Sequence, residues 1–312
     1  MLLIATSDKG GTGRSVTGCN VVYRRALLGD NVCYVDFDFG SPTAGAVFGI
    51  SRLAHGTTSG HGTHSYLQGH SAVLEECDVW GQSEVESLRF KPPGSGRPVL
   101  IPGDVGGGEF ASTPEVVERC VALFLRLEEE FEITVIDLSA GRSYAAEIVL
   151  QATAARLLSE HPCRWLVFHR WTHQHIVAAA GLVEGAQGLA DVAQQQAASG
   201  QEAHVREAFM RTVRYVRTAV VEPSSPDIEG LRPSQHAWLQ KVNQSLKALA
   251  TRRRIGEPHV LGTVPLDPVL QWQEQLITDE DVWGRHIANV STVEAFEVLA
   301  KSLDDPHVWG QP

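Results

Sequence analysis

The stretch Asp8-Lys9-Gly10-Gly11-Thr12-Gly13-Arg14-Ser15 decides the fold of this 312-residue chain. It follows a short apolar run, Leu2 to Thr6, and precedes a helical pattern from Ser15 to Leu28. Glycines let the backbone wrap closely around a phosphate, and the free N–H groups of the loop and of the helix N-terminus bind the anion. A serine at the helix start can present its hydroxyl to Mg²⁺. Strand, loop and helix together therefore predict a phosphate-binding loop.

Apolar runs typical of buried strands alternate with helical patterns along the rest of the chain. Further strands are predicted near 31–35, 99–102, 133–138, 165–169, 213–221 and 259–264, and further helices near 114–130, 145–158 and 176–189. Apolar strands separated by helices form parallel βαβ units whose two sheet faces are both covered. The pattern predicts an α/β fold with a doubly wound, mostly parallel sheet and helices on both faces.

The chain is predicted to be a single domain over residues 1–312. Two stretches depart from the alternation, at about 51–98, which is rich in Gly, His and Ser, and at about 190–235, which combines a polar Gln/Ala helix with a proline-punctuated loop. A short C-terminal tail covers 304–312. Neither stretch has the character of a domain linker, so both are read as elaborations of one domain.

Composition limits the functional classes. There are 26 basic and 37 acidic side chains, giving a net charge of −11, with five lysines against 21 arginines. This balance argues against a surface built as a whole to hold nucleic acid, and leaves room for a local basic patch. No apolar run approaches the roughly 20 residues of a membrane span. The five cysteines are scattered and form no C-x-x-C pair, which predicts free thiols and a cytoplasmic location.

The phosphate loop resembles the sequence KGGxGK[ST] of the ParA/MinD family, the deviant Walker A P-loop ATPases. Val35 to Gly40 (VDFDFG) resembles the second-strand motif in its MinD-like form. Val135 to Gly141 (VIDLSAG) is similar to the family's fourth-strand acidic motif, with Ser139 where proline is usual. Leu261 to Asp267 (LGTVPLD) resembles the segment that borders the adenine pocket. Four motifs in the family's order imply the P-loop NTPase fold.

The resemblance implies ATP/ADP and Mg²⁺ as ligands and assigns roles to individual residues. Ser15 would hold Mg²⁺, Asp36 and Asp137 would orient its waters, and Asp38 would position the attacking water. Lys9 would reach across an ATP-dependent homodimer to the partner's phosphates. The implied nucleotide contacts are Lys9, Gly10, Gly11, Thr12, Gly13, Arg14, Ser15, Val16, Pro265 and Asp267. The alternatives are that Lys9 only faces solvent and that the strand-end aspartates cap turns.

Two positions depart from the family pattern within the loop. Arg14 replaces the usual lysine, and Val16 replaces a hydroxyl residue that contacts the α-phosphate. Arginine can still bind phosphate oxygens through two N–H groups, but it is a larger planar group than lysine. We therefore expect nucleotide binding, with slow or absent hydrolysis. The preference for ATP over GTP is an inference from the resemblance alone.

The sequence is compatible with two functions. The first is an ATP-operated dimerisation switch, a weak ATPase that positions or partitions a DNA segment or a protein cargo. The alternative is a nucleotide-binding scaffold or regulator with little or no hydrolysis. Lys9, Asp36, Asp38 and Asp137 favour the switch, whereas Arg14, Val16 and Ser139 favour the scaffold.

Two other features bear on partners. Arg252, Arg253 and Arg254 follow a helical segment and would either contact non-specific DNA or simply interact with the helix dipole. The tail carries Asp304, Asp305 and Pro306 in place of the lysines of a MinD-like membrane helix, so no direct membrane binding is expected.

The histidines form two groups. Four are expected to decorate a loop rather than bind metal: His55, His61, His64 and His70. A second group, His169, His173 and His175, surrounds Arg170 and Trp171, and this segment is a candidate contact surface.

Overall fold

The computed structural model describes residues 1–197, 205–225 and 230–310, and its centre is one eight-stranded sheet. The strands are β1 Leu2–Thr6, β2 Val32–Phe37, β3 Cys77–Asp78, β4 Pro98–Ile101, β5 Ile133–Leu138, β6 Cys163–Arg170, β7 Val213–Val220 and β8 Val260–Pro265. Their spatial order is β3-β4-β2-β5-β1-β6-β7-β8. Every neighbouring pair is parallel except β3 and β4, which are antiparallel.

Helices connect these strands. The described helices are α1 Arg14–Leu27, α2 Ala44–Val47, α3 Thr63–Leu67, α4 Val79–Gln82, α5 Pro114–Glu130, α6 Tyr144–Thr153, α7 His173–Glu184, α8 Leu189–Ala197, α9 Arg206–Arg211, α10 Pro233–Arg252, α11 Pro268–Trp272, α12 Val290–Ser302 and α13 Pro306–Trp309. Short 3₁₀ turns at 51–53, 86–88 and 156–158 and a π turn at 280–284 complete the regular structure.

Both faces of the sheet are buried. In β1, Leu2 and Ile4 belong to one hydrophobic cluster, while Leu3 and Ala5 belong to the other. Because successive strand side chains point to opposite faces, a strand that is apolar at every position must be covered on both sides. The predicted doubly wound α/β sheet is therefore confirmed.

The predicted helix 176–189 corresponds to α7, which ends before the predicted boundary, and the predicted polar Gln/Ala helix begins at α8. α7 ends at Glu184, and α8 begins at Leu189. A side chain at Gly188 would approach the carbonyl oxygen of Gly185 to 2.7 Å, so the tight turn between the helices requires glycine. By length and composition the stretch His173–Gln196 is apolar enough to cross a membrane, and half of it is buried in the protein. The expectation that no apolar stretch reaches this length was therefore wrong, and the turn and burial are typical of core helices.

The first elaboration, 51–98, contributes to the edge of the sheet. It supplies β3, and its Trp80 indole N–H donates to the carbonyl of Gly96 at 2.9 Å. Its residues Leu67 and Leu74 enter the core. In the second elaboration, residues 198–204 and 226–229 lie outside the described residues, as do 311 and 312 of the tail.

Candidate nucleotide-binding site

The glycine loop between β1 and α1 has the backbone conformation that the sequence requires. Gly11 and Gly13 have φ values of 69° and 73°, in the left-handed region that favours glycine. Gly13 is the N-cap residue of α1 and has no side chain to accept a hydrogen bond from the helix N-terminus. The first N–H groups of α1 are therefore available to an anion.

The side chain of Arg14 turns inward to acidic groups. Its Nε donates to Asp137 Oδ1, its Nη2 to Asp38 Oδ2 at 3.1 Å, and its Nη1 to the Ser7 hydroxyl at 3.2 Å. The residue is only 6% exposed. Burial by itself would lower the pKa of Arg14, but the charges of Asp137 and Asp38 outweigh it and raise that pKa above its ordinary value. Arg14 therefore links the loop to the acidic ends of β5 and β2.

Asp137 also accepts hydrogen bonds from two hydroxyl groups. Ser15 Oγ donates to Asp137 Oδ2 at 2.6 Å, and Tyr34 OH donates to the same oxygen at 2.6 Å. Ser15 and Asp137, both predicted metal-site residues, are thus brought together across 122 positions of sequence. Tyr34 was not predicted, although it is the one hydroxyl side chain of β2, VCYVDF. Burial, followed by the charge of Asp137, raises the pKa of the Tyr34 phenol.

Asp36 stabilises the turn that follows β2. Its Oδ1 accepts the backbone N–H of Asp38 and its Oδ2 that of Ala44, each at 3.1 Å. It lies directly opposite Asp137 in the pairing of β2 with β5. Burial raises the pKa of Asp36 to about 8, and the nearby negative charge of Asp137 adds to this rise. The turn-capping alternative describes the contacts that Asp36 makes in this structure.

Asp38 is the most accessible of the three carboxylates, with 24% of its side chain exposed. It accepts from Arg14 and from the backbone N–H of Ser41, at 3.2 Å. Burial raises its pKa, and the positive charge of Arg14 opposes that rise. The predicted catalytic carboxylate is therefore held in an ion pair.

Ser139, which replaces the family's proline, has a structural contact of its own. Its hydroxyl accepts the backbone N–H of Phe39 at 3.0 Å. Proline could not supply this hydroxyl, so the departure adds a bond between the ends of β5 and β2.

A cavity of about 230 Å³ lies between the glycine loop and the carboxyl ends of β7 and β8. Its lining residues are Gly11, Thr12, Gly13, Val16, Thr17, Arg170, Thr218, Ala219, Val264, Pro265, Asp267, Leu270, Gln271 and Glu274. The Thr218 hydroxyl donates to the Thr12 carbonyl at 2.6 Å and fixes the loop against β7. Of the predicted nucleotide contacts, the three loop residues 11–13, Val16, Pro265 and Asp267 line this cavity. Lys9 and Gly10 are solvent-exposed.

The Asp267 carboxylate makes three internal hydrogen bonds. It accepts from the backbone N–H of Val269 at 3.1 Å, from that of Asn289 at 2.9 Å and from the Thr292 hydroxyl at 2.7 Å. The residue is 1% exposed. Its carboxylate therefore caps α11 and ties that helix to α12.

The candidate contact surface around Arg170 and Trp171 is buried in part. His169 is 1% exposed and Trp171 is 7% exposed. The Trp171 indole N–H donates to Asn243 Oδ1 at 2.6 Å, and the Arg217 guanidinium lies 4.4 Å from the centre of the Trp171 ring. These two rings pack inside the protein, which corrects the expectation for His169 and Trp171, whereas His173 is exposed. Arg170, in contrast, lines the cavity.

His64 was expected to be an exposed loop residue, and this expectation was wrong. It is buried beside Phe39 and Phe110, and its Nε2 lies 3.0 Å from the Phe39 carbonyl oxygen. Burial lowers the pKa of His64. Over residues 1–197, 205–225 and 230–310, no three His, Cys, Asp or Glu side chains are grouped so that they could hold a metal ion.

Comparisons with known proteins place this geometry in context. The septum site-determining protein MinD of Bacillus subtilis (strain 168) is 28% identical over 140 residues, which is 45% of this chain and 45% of that protein. The aligned region therefore spans less than half of the curated relative. No protein-family model matches the chain.

Solved structures match over almost the whole chain. MinD from Pyrococcus horikoshii, complexed with Mg-ADP, superimposes with a TM-score of 0.52 and 13% identity, covering 98% of this chain and 96% of that one. The ParA protein of pNOB8, bound to nonspecific DNA, gives a TM-score of 0.52 and 14% identity, covering 97% and 96%. The fold is that of the MinD and ParA P-loop NTPases. The fold that the four motifs implied is confirmed.

Proposed function

We propose that this protein is an ATP-dependent dimerisation switch of the ParA/MinD type, a slow ATPase that positions or partitions a cargo in the cytoplasm. One observation carries the proposal: the glycine loop, the Ser15–Asp137 pair and a cavity lined by Pro265 meet at the carboxyl edge of the sheet. Ligands of open α/β sheets bind at this edge. The Mg-ADP of the archaeal MinD and the DNA of the pNOB8 ParA support the ligand and one class of cargo.

The residues present suit Mg²⁺ and a nucleotide. The Ser15 hydroxyl and the Asp137 carboxylate are oxygen donors, which Mg²⁺ prefers, and phosphate oxygens and water would complete its shell. The open N-terminus of α1 would receive the phosphates. The nucleoside would enter the cavity toward Pro265, where Val16 offers only an apolar contact.

A second candidate, a nucleotide-binding scaffold with negligible turnover, is favoured by the ion pair of Arg14 with Asp38. The resemblance gives Asp38 the task of positioning the attacking water, and an oxygen that accepts from Arg14 is not free for that water. Hydrolysis would require this contact to open. Phosphoryl transfer depends mainly on positioning and charge stabilisation, so a displaced carboxylate slows it directly.

Light scattering and phosphate release test the switch. The purified chain is measured without nucleotide, with Mg-ADP and with Mg-ATP, and we expect a dimer only with Mg-ATP. We expect slow phosphate release that Asp38→Ala abolishes and Arg14→Lys accelerates. If the wild type and Asp38→Ala are equally inert while ATP still drives dimerisation, the scaffold is the function. If ATP neither binds nor changes the mass, both candidates are wrong.

Lys9 provides a matched comparison, because the chain has another exposed lysine, Lys91. Lys9→Ala should bind ATP and remain monomeric, since the resemblance places Lys9 on the partner's phosphates. Lys91→Ala should dimerise as the wild type does. Equal dimerisation of the two variants would remove Lys9 from the proposed interface.

A further inference from the structure

The wall of the cavity includes a basic side chain that belongs to none of the motifs. Arg14, the loop residue expected to bind phosphate, is directed to Asp137, Asp38 and Ser7. Among the described residues, Arg170 is the one basic side chain on the cavity wall.

The sheet brings Arg170 to the phosphate loop. β1 pairs with β6 up to Thr6 and Val167, so Arg170 ends β6 three residues farther on, at the edge where the loop leaves β1. Arg170 lies opposite Thr218 in the pairing of β6 with β7. The Thr218 hydroxyl is the one that donates to the Thr12 carbonyl. The position of Arg170 is therefore set by two strands that also hold the loop.

The guanidinium of Arg170 is lightly engaged. Its side chain has one hydrogen bond, from Nη2 to Gln271 Oε1, at the long distance of 3.5 Å. Among the described residues, no carboxylate lies within 4.0 Å of it, whereas Arg14 pairs with two. A partly buried arginine with open N–H groups beside glycine N–H groups is well suited to phosphate oxygens.

The charges around the site are mixed: Lys9 and Arg170 are positive, whereas Asp8 and, on the cavity wall, Glu274 are negative. The pKa of His175, in the first turn of α7, is lowered by burial and then by the charges of Lys9 and Arg170. The exposed lysine of the loop and Arg170 therefore act on the same region. An anion in the cavity would meet Arg170 on the wall, with Lys9 outside it, and its phosphates would have to lie away from Glu274.

We propose that Arg170 binds the nucleotide phosphates. It supplies the positive charge that Arg14 cannot offer them, because Arg14 is paired with Asp137 and Asp38. The role of Arg14 becomes the organisation of Asp38 and Asp137. This inference rests on the proposed nucleotide site and adds to it a phosphate-binding residue from β6.

Competition against a fluorescent ATP analogue tests the assignment. The competitors are Mg-ATP, inorganic tripolyphosphate, which lacks the nucleoside, and adenosine, which lacks the phosphates. Arg170→Ala should weaken ATP and tripolyphosphate by about tenfold to a hundredfold, the loss expected for a hydrogen bond to a charged group. Adenosine should compete unchanged, and Arg170→Lys should recover part of the loss.

Arg211→Ala is the matched control, because it removes an exposed arginine just before the opposite end of β7. It should compete as the wild type does, and thermal melting should show all variants folded. An unchanged affinity of Arg170→Ala for tripolyphosphate would overturn the inference, as would equal losses for tripolyphosphate and adenosine. Absence of tripolyphosphate competition in the wild type would overturn it too. Failure of the wild type to bind any ATP would instead refute the proposed function on which the inference rests.

Discussion

At the scale of single residues, the most consequential side chain is Arg14. It is the counter-ion of a buried carboxylate, since the Asp137 side chain is 2% exposed. Removing one partner of a buried ion pair leaves the other charge without compensation, which costs far more than an exposed pair contributes. The substitution of lysine by arginine in the loop is therefore part of the folded structure as well as of the site.

Arg14→Ala should lower the free energy of unfolding by about 3–5 kcal/mol, because it leaves Asp137 buried without its cation. Arg14→Lys should lose less, since it keeps the charge but not the three-way geometry. Urea unfolding measures both. The double variant Arg14→Ala/Asp137→Asn should regain part of the loss, and full stability of Arg14→Ala alone would contradict the buried-pair interpretation.

His169 should make the protein sensitive to mild acid. Burial lowers its pKa from 6.5 to about 4, and its Nε2 has no hydrogen-bond partner within the described part of the chain. Between pH 6.5 and 4 the unfolded chain therefore binds a proton at this side chain that the folded chain does not. Unfolding is favoured as the pH falls, so the stability due to neutral His169 is lost over that range, by up to about 1.4 kcal/mol per pH unit.

His169→Phe should flatten this part of the stability profile, measured by urea unfolding from pH 7 to pH 4. Phenylalanine keeps an aromatic ring beside Trp171 and Tyr215. His70→Phe changes an exposed histidine and should keep the wild-type slope. Identical slopes for the wild type and His169→Phe would show that His169 does not cause the acid sensitivity.

At the scale of elements, Asp267 determines how α11 and α12 meet the end of β8. Asp267→Ala leaves one buried and two partly buried donors without acceptors and should lower the free energy of unfolding by about 2–3 kcal/mol. Asp305 is a matched control, because it caps α13 through one exposed bond to the His307 backbone N–H. Asp305→Ala should cost about 1 kcal/mol. Equal losses would mean that the contacts to Asn289 and Thr292 contribute little.

Strands and helices that are specified by neighbouring residues could be predicted from the sequence, whereas those that depend on distant contacts could not. β1, α1, α5 and β5 were predicted within one residue, because apolar runs, glycine turns and a capping threonine are local signals. β3 was missed, since a two-residue strand has no pattern of its own. The division between α7 and α8 depends on the close approach of Gly188 to other carbonyls, which only the folded backbone reveals.

The candidate site likewise has features that the sequence predicted and features that it did not. The motifs predicted which residues the sheet gathers at its carboxyl edge, including Ser15 and Asp137. They did not predict the direction of the Arg14 side chain, because its partners lie 24 and 123 positions away. They also placed Arg170 on an outer surface, since no local signal distinguishes a strand-end arginine that lines a cavity from one that faces solvent.

At the scale of the whole molecule, the charge of −11 requires any DNA contact to be local. Arg252, Arg253 and Arg254 are all exposed at the end of α10, and Lys241 and Lys247 are exposed along the same helix. We propose that any contact with the phosphate backbone of DNA involves this basic surface. The affinity for DNA should fall steeply as the salt concentration rises, because binding releases the counterions of DNA.

With Mg-ATP, Arg252→Glu/Arg254→Glu should abolish binding to random-sequence duplex DNA, measured by fluorescence anisotropy. Milder neutralisation, Arg252→Gln, should reduce the salt slope by about 0.9 for each DNA phosphate that the protein no longer neutralises. Arg89→Glu/Arg156→Glu makes the same change of net charge at exposed arginines elsewhere and should bind as the wild type does. Equal weakening in both double variants would show that net charge, and not this helix, controls the association.

The two edges of the sheet are unequal. One ends in β3, which has two residues, whereas the other ends in β8, which has six. A strand from another chain needs a row of unpaired N–H and C=O groups on which to add, and β3 offers almost none. Continuous growth of a fibre requires two receptive edges on every molecule, whereas one receptive edge permits only a closed pair related by a twofold axis. The two-residue β3 therefore leaves that edge with little free backbone on which a strand of another copy could add.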